Sequence, residues 1–450
     1  MWGDSLKTPR HISAQEAAQL VRSGHWIDYG VTIGQPDVFD AALAERASEL
    51  SNVKFRSCIT VKPRAVLEAD PKGKHFHWFS WHFSGYDRQK SDQGIAHYMP
   101  INLGEIPDYY RRFIEPGDIA VIKARPKDAN GYYNFGGTNL WHGAILEAAK
   151  TVIVEVTEGL PYTYGRDCGI HESEVDFVIA GDNTSPPELP DLPITDVDRA
   201  VGALVASEIE DGSCIQVGIG GMPNAVCASL LDSGASDLGI HSEMLTDSMV
   251  ELVRSGQATG AQKTLDRGKH VYSFALGSRR LYESIDNNPD FQCCPADYTN
   301  PPHIIMQNDR VVAINNTTQI DLTGQAASES DGFRHISGTG GQLQFVRGAY
   351  ASERGKSFIC LSSVFSKGDI RKSRIVLNLT PGNTVTTTRM DQMYVVTEFG
   401  MVNLKGQSVA ERARRLISIA HPDFREELER DARTHGLIPK TVYPVDVVEG

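Results

Sequence analysis

The sequence has no run of about 18 apolar residues, so it offers no helix built to cross a bilayer. Its opening stretch, MWGDSLKTPRHISAQEAAQL, also lacks the continuous apolar core of a secretory signal. It leads instead into a helix announced by Ser13 and, three residues later, Glu16, the spacing of a capping box. A cytoplasmic location is the expectation. Cysteine is sparse: seven residues, an odd number, scattered through a long chain with Cys293 and Cys294 adjacent. That layout excludes a disulfide scaffold, and with no paired C-x-x-C there is no zinc pattern. Excess basic charge is missing too. The chain carries 44 Lys and Arg against 57 Asp and Glu, a formal charge of -13 that repels polyphosphate, so no nucleic-acid partner is expected. Any anionic ligand must be met by local donors.

What is present is a soluble globular composition, 40% hydrophobic and 22% charged, over 450 residues, more than one ordinary core accommodates. The clearest break is NTSPPELPDLPITD, residues 183–196, where prolines impose extended structure among polar neighbours. It divides the chain into an N-terminal domain (1–185), a proline-rich linker (186–196) and a C-terminal domain (197–450). Upstream, DIAVIKA and TVIVEVT read as buried strands around a helical GAILEAAK. Downstream, a helix is predicted from the Thr195 cap to Gly212, with Val197, Val201, Leu204, Val205 and Ile209 on one stripe. CIQVGIG, NAVCASLLDSG and LGIHSE continue the alternation, and RVVAINN, QMYVVTEFG and two helices, SVAERARRLISIA and PDFREELERDAR, complete it. The predicted fold class is α/β: two domains with mostly parallel open sheets flanked by helices.

Within this alternation, GIHSEMLTDSMVELV (239–253) puts Glu243 between a strand-like run and an amphipathic helix. On position alone, such a glutamate is more often a solvated or capping charge. The loop QVGIGGMPNAV (216–226) suggests one alternative, a dinucleotide site with Glu243 on a ribose. Pro223 speaks against it, because it stands where the fingerprint needs Gly or Ala and suits the first turn of a helix instead. A second glycine loop, SGTGGQLQFVRGA (337–349), supplies a different possibility. Two flexible loops that bring backbone N–H groups against a ligand suit acyl transfer, in which negative charge develops on oxygen and a carboxylate can be the nucleophile.

The ordered set GIGGMPNAV, GIHSEML, IDLTGQAASES, GTGGQLQFVRGA, GNTVTTT, YVVTEFGMVNLKGQS and LISIAHPDFREEL resembles the acetyl-CoA hydrolase/transferase family, near its 4-hydroxybutyrate and butyryl-CoA:carboxylate CoA-transferases. In the N-terminal part, DANGYYNFGGTN and NLGEIPDYYRRF are similar to family segments. The resemblance implies that Glu243 attacks an acyl-CoA thioester, giving an acyl-glutamyl anhydride and then a glutamyl-CoA thioester that a second carboxylate discharges. It implies oxyanion or CoA contacts at Gly338, Gly340 and Gly341, and a CoA-binding turn at Gly218, Gly220 and Gly221. Coenzyme A enters as substrate, with no permanently bound cofactor or metal, short-chain acids are the partners, and a homo-oligomer is expected. Two positions depart from the family pattern: Gln344, where Asp is common, and Phe399, where Tyr is. Lys367, Arg371, Lys372 and Lys405 are candidates for the CoA phosphates, with Lys405 carried forward as the CoA-binding residue.

Butyrate, 4-hydroxybutyrate and acetate fit the resemblance best. Succinate or itaconate would require a cation in the acyl pocket, for which the Arg88 and Lys90 region is the candidate. An acyl-CoA hydrolase and a CoA-binding protein without turnover are the other readings. In KHFHWFSWHFSGYDR (74–88), His75, His77 and His82 raise the question of metal, but no Cys or acidic set completes a site, so an alternating strand or an aromatic wall beside the acyl pocket is expected. His241, two positions before Glu243, is expected as a core or orienting histidine.

Overall fold

The computed structural model describes residues 8–190 and 193–439. Residues 191–192 of the linker and the ends of both expected domains, 1–7 and 440–450, lie outside the described residues. The N-terminal helix begins as its sequence predicts, with Ser13 and Glu16 forming a capping box.

The first sheet takes its strands from one stretch of chain: β1 (Arg10–His11), β2 (Trp26–Tyr29), β3 (Val53–Ser57), β4 (Phe76–Ser80), β5 (Ala96–Tyr98), β6 (Ile119–Ala124), β7 (Val152–Val156) and β8 (Phe177–Ala180). These eight lie in the order β1-β8-β7-β6-β2-β3-β4-β5, and every pairing is parallel. A parallel sheet is covered on both faces, and the side chains of β6 show how. Ile119 and Val121 enter a core with Tyr29, Phe55 and Trp78, while Ala120, Ile122 and Ala124 face the opposite way into a larger core.

The second sheet comprises β9 (Cys214–Val217), β10 (Gly239–Ile240), β11 (Val311–Asn316), β12 (Lys356–Cys360), β13 (Tyr394–Thr397) and β14 (Gly400–Asn403). Its order is β10-β9-β11-β12-β13-β14, parallel except for the closing antiparallel pair. Ile215, Val217, Ile314 and Phe358 join Ile122 and Val154 of the first sheet, so one continuous apolar core runs between the two sheets. The strand order reverses between β9 and β11, and in open α/β sheets ligands bind beyond the carboxyl ends of the strands at such a reversal.

The helices of the second half are α1 (Asp196–Ala206), α2 (Gly221–Ser233), α3 (Gln342–Ala351), α4 (Val409–Ser418) and α5 (Pro422–Thr434). Helix α1 starts at its Thr195 cap but stops at Ala206, short of Gly212. The Ser207 hydroxyl takes up the Leu204 carbonyl at 2.8 Å, and Ile209 remains buried in a tighter turn closed by its N–H to Ala206. The linker is packed at its start. The Leu189 N–H donates to the Gly277 carbonyl at 3.0 Å, and the Tyr282 hydroxyl donates to Pro187 at 3.0 Å.

Inside the first sheet, Asp28 of β2 and Arg56 of β3 are register neighbours joined by two hydrogen bonds of 2.7 and 2.8 Å, with the Tyr110 hydroxyl donating to Asp28 at 2.7 Å. Arg56→Leu strands a buried carboxylate and is expected to cost about 3–5 kcal/mol in urea unfolding. The charge-free pair Asp28→Asn with Arg56→Gln is expected to lose much less.

Candidate active site

Glu243 follows β10 by three residues, where the chain turns into the short strand Met244–Leu245, paired in parallel with Phe274–Ala275. Its backbone carbonyl accepts from the N–H groups of Ser273 and Phe274 at 2.9 and 3.1 Å, which fixes where the side chain leaves the backbone. The carboxylate then receives one side-chain hydrogen bond, from Asn300 Nδ2 to Oε2 at 2.5 Å. Behind it, Thr299 Oγ1 donates to Asn300 Oδ1 at 2.8 Å and lies 2.5 Å from the Ser273 hydroxyl. His241 is spent on this support: its Nε2 is 2.9 Å from the Thr299 carbonyl, and burial pushes its imidazole down to about 4. It orients the segment that carries Asn300 and does not touch the Glu243 carboxylate.

The second glycine loop closes over Glu243. Gly340 has a left-handed φ of 56°, and a Cβ at Gly341 would run into Glu243 Oε2 and lie 2.5 Å from Asn300 Nδ2, so only glycine lets the backbone come this near. Among the described residues, no protein acceptor takes the N–H of Gly338, Gly340 or Gly341. The loop is held instead through other atoms. Leu103 donates to the Gly340 carbonyl at 3.0 Å, Phe83 to Ser337 at 3.2 Å and Arg88 Nη1 to Ile336 at 2.8 Å, all from the first half of the chain.

Glu243, His82, Gly218 and the whole loop Ser337–Gln342 line one cleft of about 560 Å³ between the halves. Of the first glycine loop, Gly218 lines it with its N–H already bonded to Ile314 at 3.0 Å, while Gly220 and Gly221 form the α2 start beside it. Pro223 falls in the first turn of α2. Lys405 does not reach the cleft: its ammonium donates to the Met390 carbonyl at 2.8 Å and sits 4.2 Å from the Tyr350 ring centre. Lys367, Arg371 and Lys372 stand on an exposed hairpin, where Arg371 pairs with Asp423. Lys90 is buried and paired with Glu68 at 2.9 Å, whereas Arg88 lines the cleft. Phe399 packs edge-on against His421, away from it.

The histidine-rich stretch is split by the fold. Residues 76–80 alternate as strand β4, His75 Nδ1 bonds the Leu50 carbonyl at 2.7 Å, and His82 and Phe83 reach the cleft wall. Among the described residues no group of three or more His, Cys, Asp or Glu is arranged to hold a metal.

Among the described residues no Lys or Arg pairs with Glu243. Its edge opens on the cleft, but protein atoms surround it elsewhere. Burial raises its pKa to about 7 against the single opposing bond from Asn300. His82 is pushed down to about 4 by burial, then by His335 and Arg88, and burial holds the Cys58 thiol well up. Of these three groups, Glu243 is the one brought close to neutrality.

Asn300, Thr299 and Ser273 were not singled out in the sequence, since isolated polar residues carry no spacing signal. Nor was Ile59, a β-branched residue at φ 46° that lines the cleft and whose N–H donates to the His82 carbonyl at 3.0 Å. A carboxylate on a cleft beside backbone N–H groups that no protein acceptor takes is an arrangement that can serve chemistry in which negative charge develops on oxygen.

Comparison with known proteins places the chain in a family. The acetyl-CoA hydrolase/transferase N-terminal domain matches residues 7–190 and the C-terminal domain of the same family matches 277–432. The chain belongs to the acetyl-CoA hydrolase/transferase family. It is 44% identical over 423 residues to the butyryl-CoA:acetate CoA-transferase of Anaerostipes caccae, covering 93% of this chain and 95% of that one. It is 43% identical over 422 residues to the succinyl-CoA:cyclohexane-1-carboxylate CoA transferase of Geobacter metallireducens, covering 94% of each. The crystal structure of 4-hydroxybutyrate CoA-transferase from Porphyromonas gingivalis superimposes with a TM-score of 0.77 at 32% identity, covering 95% of this chain and 98% of that one.

The raised pKa of Glu243 has a sign that unfolding can read. Between the ordinary value of 4.5 and about 7 the folded protein binds the extra proton, so stability falls as pH rises through that window. Glu243→Gln removes the penalty. It is expected to be about 2–3 kcal/mol more stable than the parent at pH 8 and equal to it below about pH 4, by urea unfolding at the two pH values.

Proposed function

We propose that the protein moves CoA from a short-chain acyl-CoA to a free carboxylic acid, with Glu243 as covalent nucleophile. The observation that carries this is the Glu243 carboxylate itself, largely enclosed, paired with no cation among the described residues and beside a glycine loop whose N–H groups no protein acceptor takes. A Glu243 oxygen attacks the thioester carbon and the C–S bond breaks, leaving an acyl-glutamyl anhydride and CoA thiolate. The thiolate attacks Cδ of Glu243, the C–O bond breaks, and a free acid departs from a glutamyl-CoA thioester. A second carboxylate enters by the reverse steps. Asn300 Nδ2 and the N–H groups of Gly338, Gly340 and Gly341 are the available donors for the oxyanions. Every step exchanges one anion for another, so neither ATP nor a metal is required. Coenzyme A is substrate throughout.

Mixing the protein with butyryl-CoA and no acceptor acid is expected to give a CoA adduct by intact mass. Glu243→Gln should show none, and adding acetate should discharge the adduct. Steady release of free CoA without an adduct would instead favour an acyl-CoA hydrolase.

The apolar lining, including Val61, Phe83, Met244, Phe274 and Leu276, favours monocarboxylic acids such as butyrate, with 4-hydroxybutyrate and acetate in the same class. A dicarboxylate reading of the succinate or itaconate type rests on Arg88, the one cationic side chain lining the cleft among the described residues. With acetyl-CoA as the fixed donor, butyrate is expected to exceed succinate in kcat/KM by roughly tenfold or more, because a second carboxylate must be desolvated against apolar walls. Preference for succinate, lost in Arg88→Met, would reverse the assignment.

A further inference from the structure

The Asn300 amide makes the one side-chain hydrogen bond that Glu243 receives, and an amide can face a carboxylate either way round. With Nδ2 inward it donates; with Oδ1 inward, two oxygens would repel. One contact decides which: the carboxamide oxygen of Gln344, on α3, faces Asn300 Nδ2 at 3.5 Å, and the Thr299 hydroxyl, able to donate or accept, fits that orientation by donating to Asn300 Oδ1 at 2.8 Å. The Gln344 amide has the same ambiguity, and a backbone group removes it: the Gly104 N–H, which only donates, bonds Gln344 Oε1 at 3.0 Å.

Gly104 belongs to the turn Leu103–Glu105 in the first half of the chain. Its neighbour Leu103 donates to the Gly340 carbonyl at 3.0 Å. Two successive N–H groups of one half thus grip the glycine loop and the helix that follows it in the other. The approach is tight. A Cβ at Gly104 would lie 2.6 Å from Asn300 Cβ and 2.9 Å from Gln344 Nε2. Gln344 itself is 6% exposed and does not line the cleft, so it touches no substrate.

We propose that Gln344 is a positioning residue for the transfer reaction: held by Gly104, its oxygen fixes the donor face of Asn300 on Glu243, so that alignment of the nucleophile depends on docking of the two halves. This rests on Glu243 being the nucleophile. A carboxylate in its place would keep an acceptor oxygen but add negative charge next to Asn300, so shape and charge can be tested separately. The titratable groups facing Glu243 from the other elements are Cys58, after β3, and His82, after β4. The thiol is held well up and the imidazole at about 4, so an acid limb near neutrality belongs to Glu243.

The test follows the rate of CoA-adduct formation from butyryl-CoA and the acid limb of kcat/KM in the parent, Gln344→Met, Gln344→Glu and Gly104→Ala. Gln344→Met and Gly104→Ala are expected to slow adduct formation roughly tenfold, the worth of one hydrogen bond, with KM for butyryl-CoA within about twofold. Gln344→Glu keeps both acceptor contacts but adds charge. Its acid limb should move up by about one pH unit or more, with the rate restored near that of the parent above the limb. An unchanged rate and limb in Gln344→Met, whatever its melting temperature, would reduce Gln344 to packing and overturn the proposal. If that variant does not fold, an unmoved limb in Gln344→Glu overturns it. A parent that forms no adduct overturns the Glu243 reading together with this one, whereas a parent adduct with unaffected variants overturns this one alone.

Discussion

A carboxylate enclosed without a counter-ion is the constraint around which the site is arranged. Glu243 loses water on every side but the cleft, and the single bond from Asn300 does not compensate, so its pKa rises to about 7. A nearby Lys or Arg would have removed that penalty and brought the pKa back down. Of the cationic side chains of the sequence motifs, Arg88 lines the cleft without pairing with Glu243, while Lys90 is on Glu68, Arg371 on Asp423 and Lys405 on a carbonyl and a ring. The polarity left around Glu243 comes from amides and hydroxyls, groups that stabilise charge without neutralising it.

Holding such a group requires rigidity on both sides of the cleft. The two sheets share one apolar core, which fixes their carboxyl ends relative to each other. The finer adjustment is polar and concentrated on one segment. Ile336, Ser337, Gly340 and Gln344 each accept a hydrogen bond from Arg88, Phe83, Leu103 or Gly104. These bonds occupy carbonyl oxygens and leave the N–H groups of the glycines unspent, which is the polarity an oxyanion site needs.

The layer architecture was legible because buried parallel strands such as 119–124 and 152–156 are short apolar runs that periodicity detects, and caps at Ser13 and Thr195 mark helix starts. The end of α1 was not, because a serine that bonds its own helix at Leu204 looks like any polar residue in a helix. At the site, Glu243 and the loop 338–341 could be found by motif, since both lie in continuous segments. Asn300 could not. It lies 57 positions from its partner, and nothing in the local sequence distinguishes it from a surface asparagine. Lys405 illustrates the opposite difficulty: a lysine within a family segment was assigned to CoA by charge, while its position depends on a carbonyl and a ring that sequence does not bring together.

The protonation states around Glu243 bear on why transfer is favoured over hydrolysis. Transfer passes acyl and CoA groups between anions, so no proton need move at any step. Hydrolysis of the same anhydride must take a proton from water, and a base suited to that task has a pKa near neutrality. His82, at about 4, is too weak a base, and His241 is buried against the Thr299 carbonyl. Glu243 is the group raised to about 7, and in the mechanism proposed above it would itself be covalently occupied when water attacked. On that proposal, with neither His82 nor His241 suited to act as base, the site favours an incoming carboxylate, already deprotonated, over an incoming water.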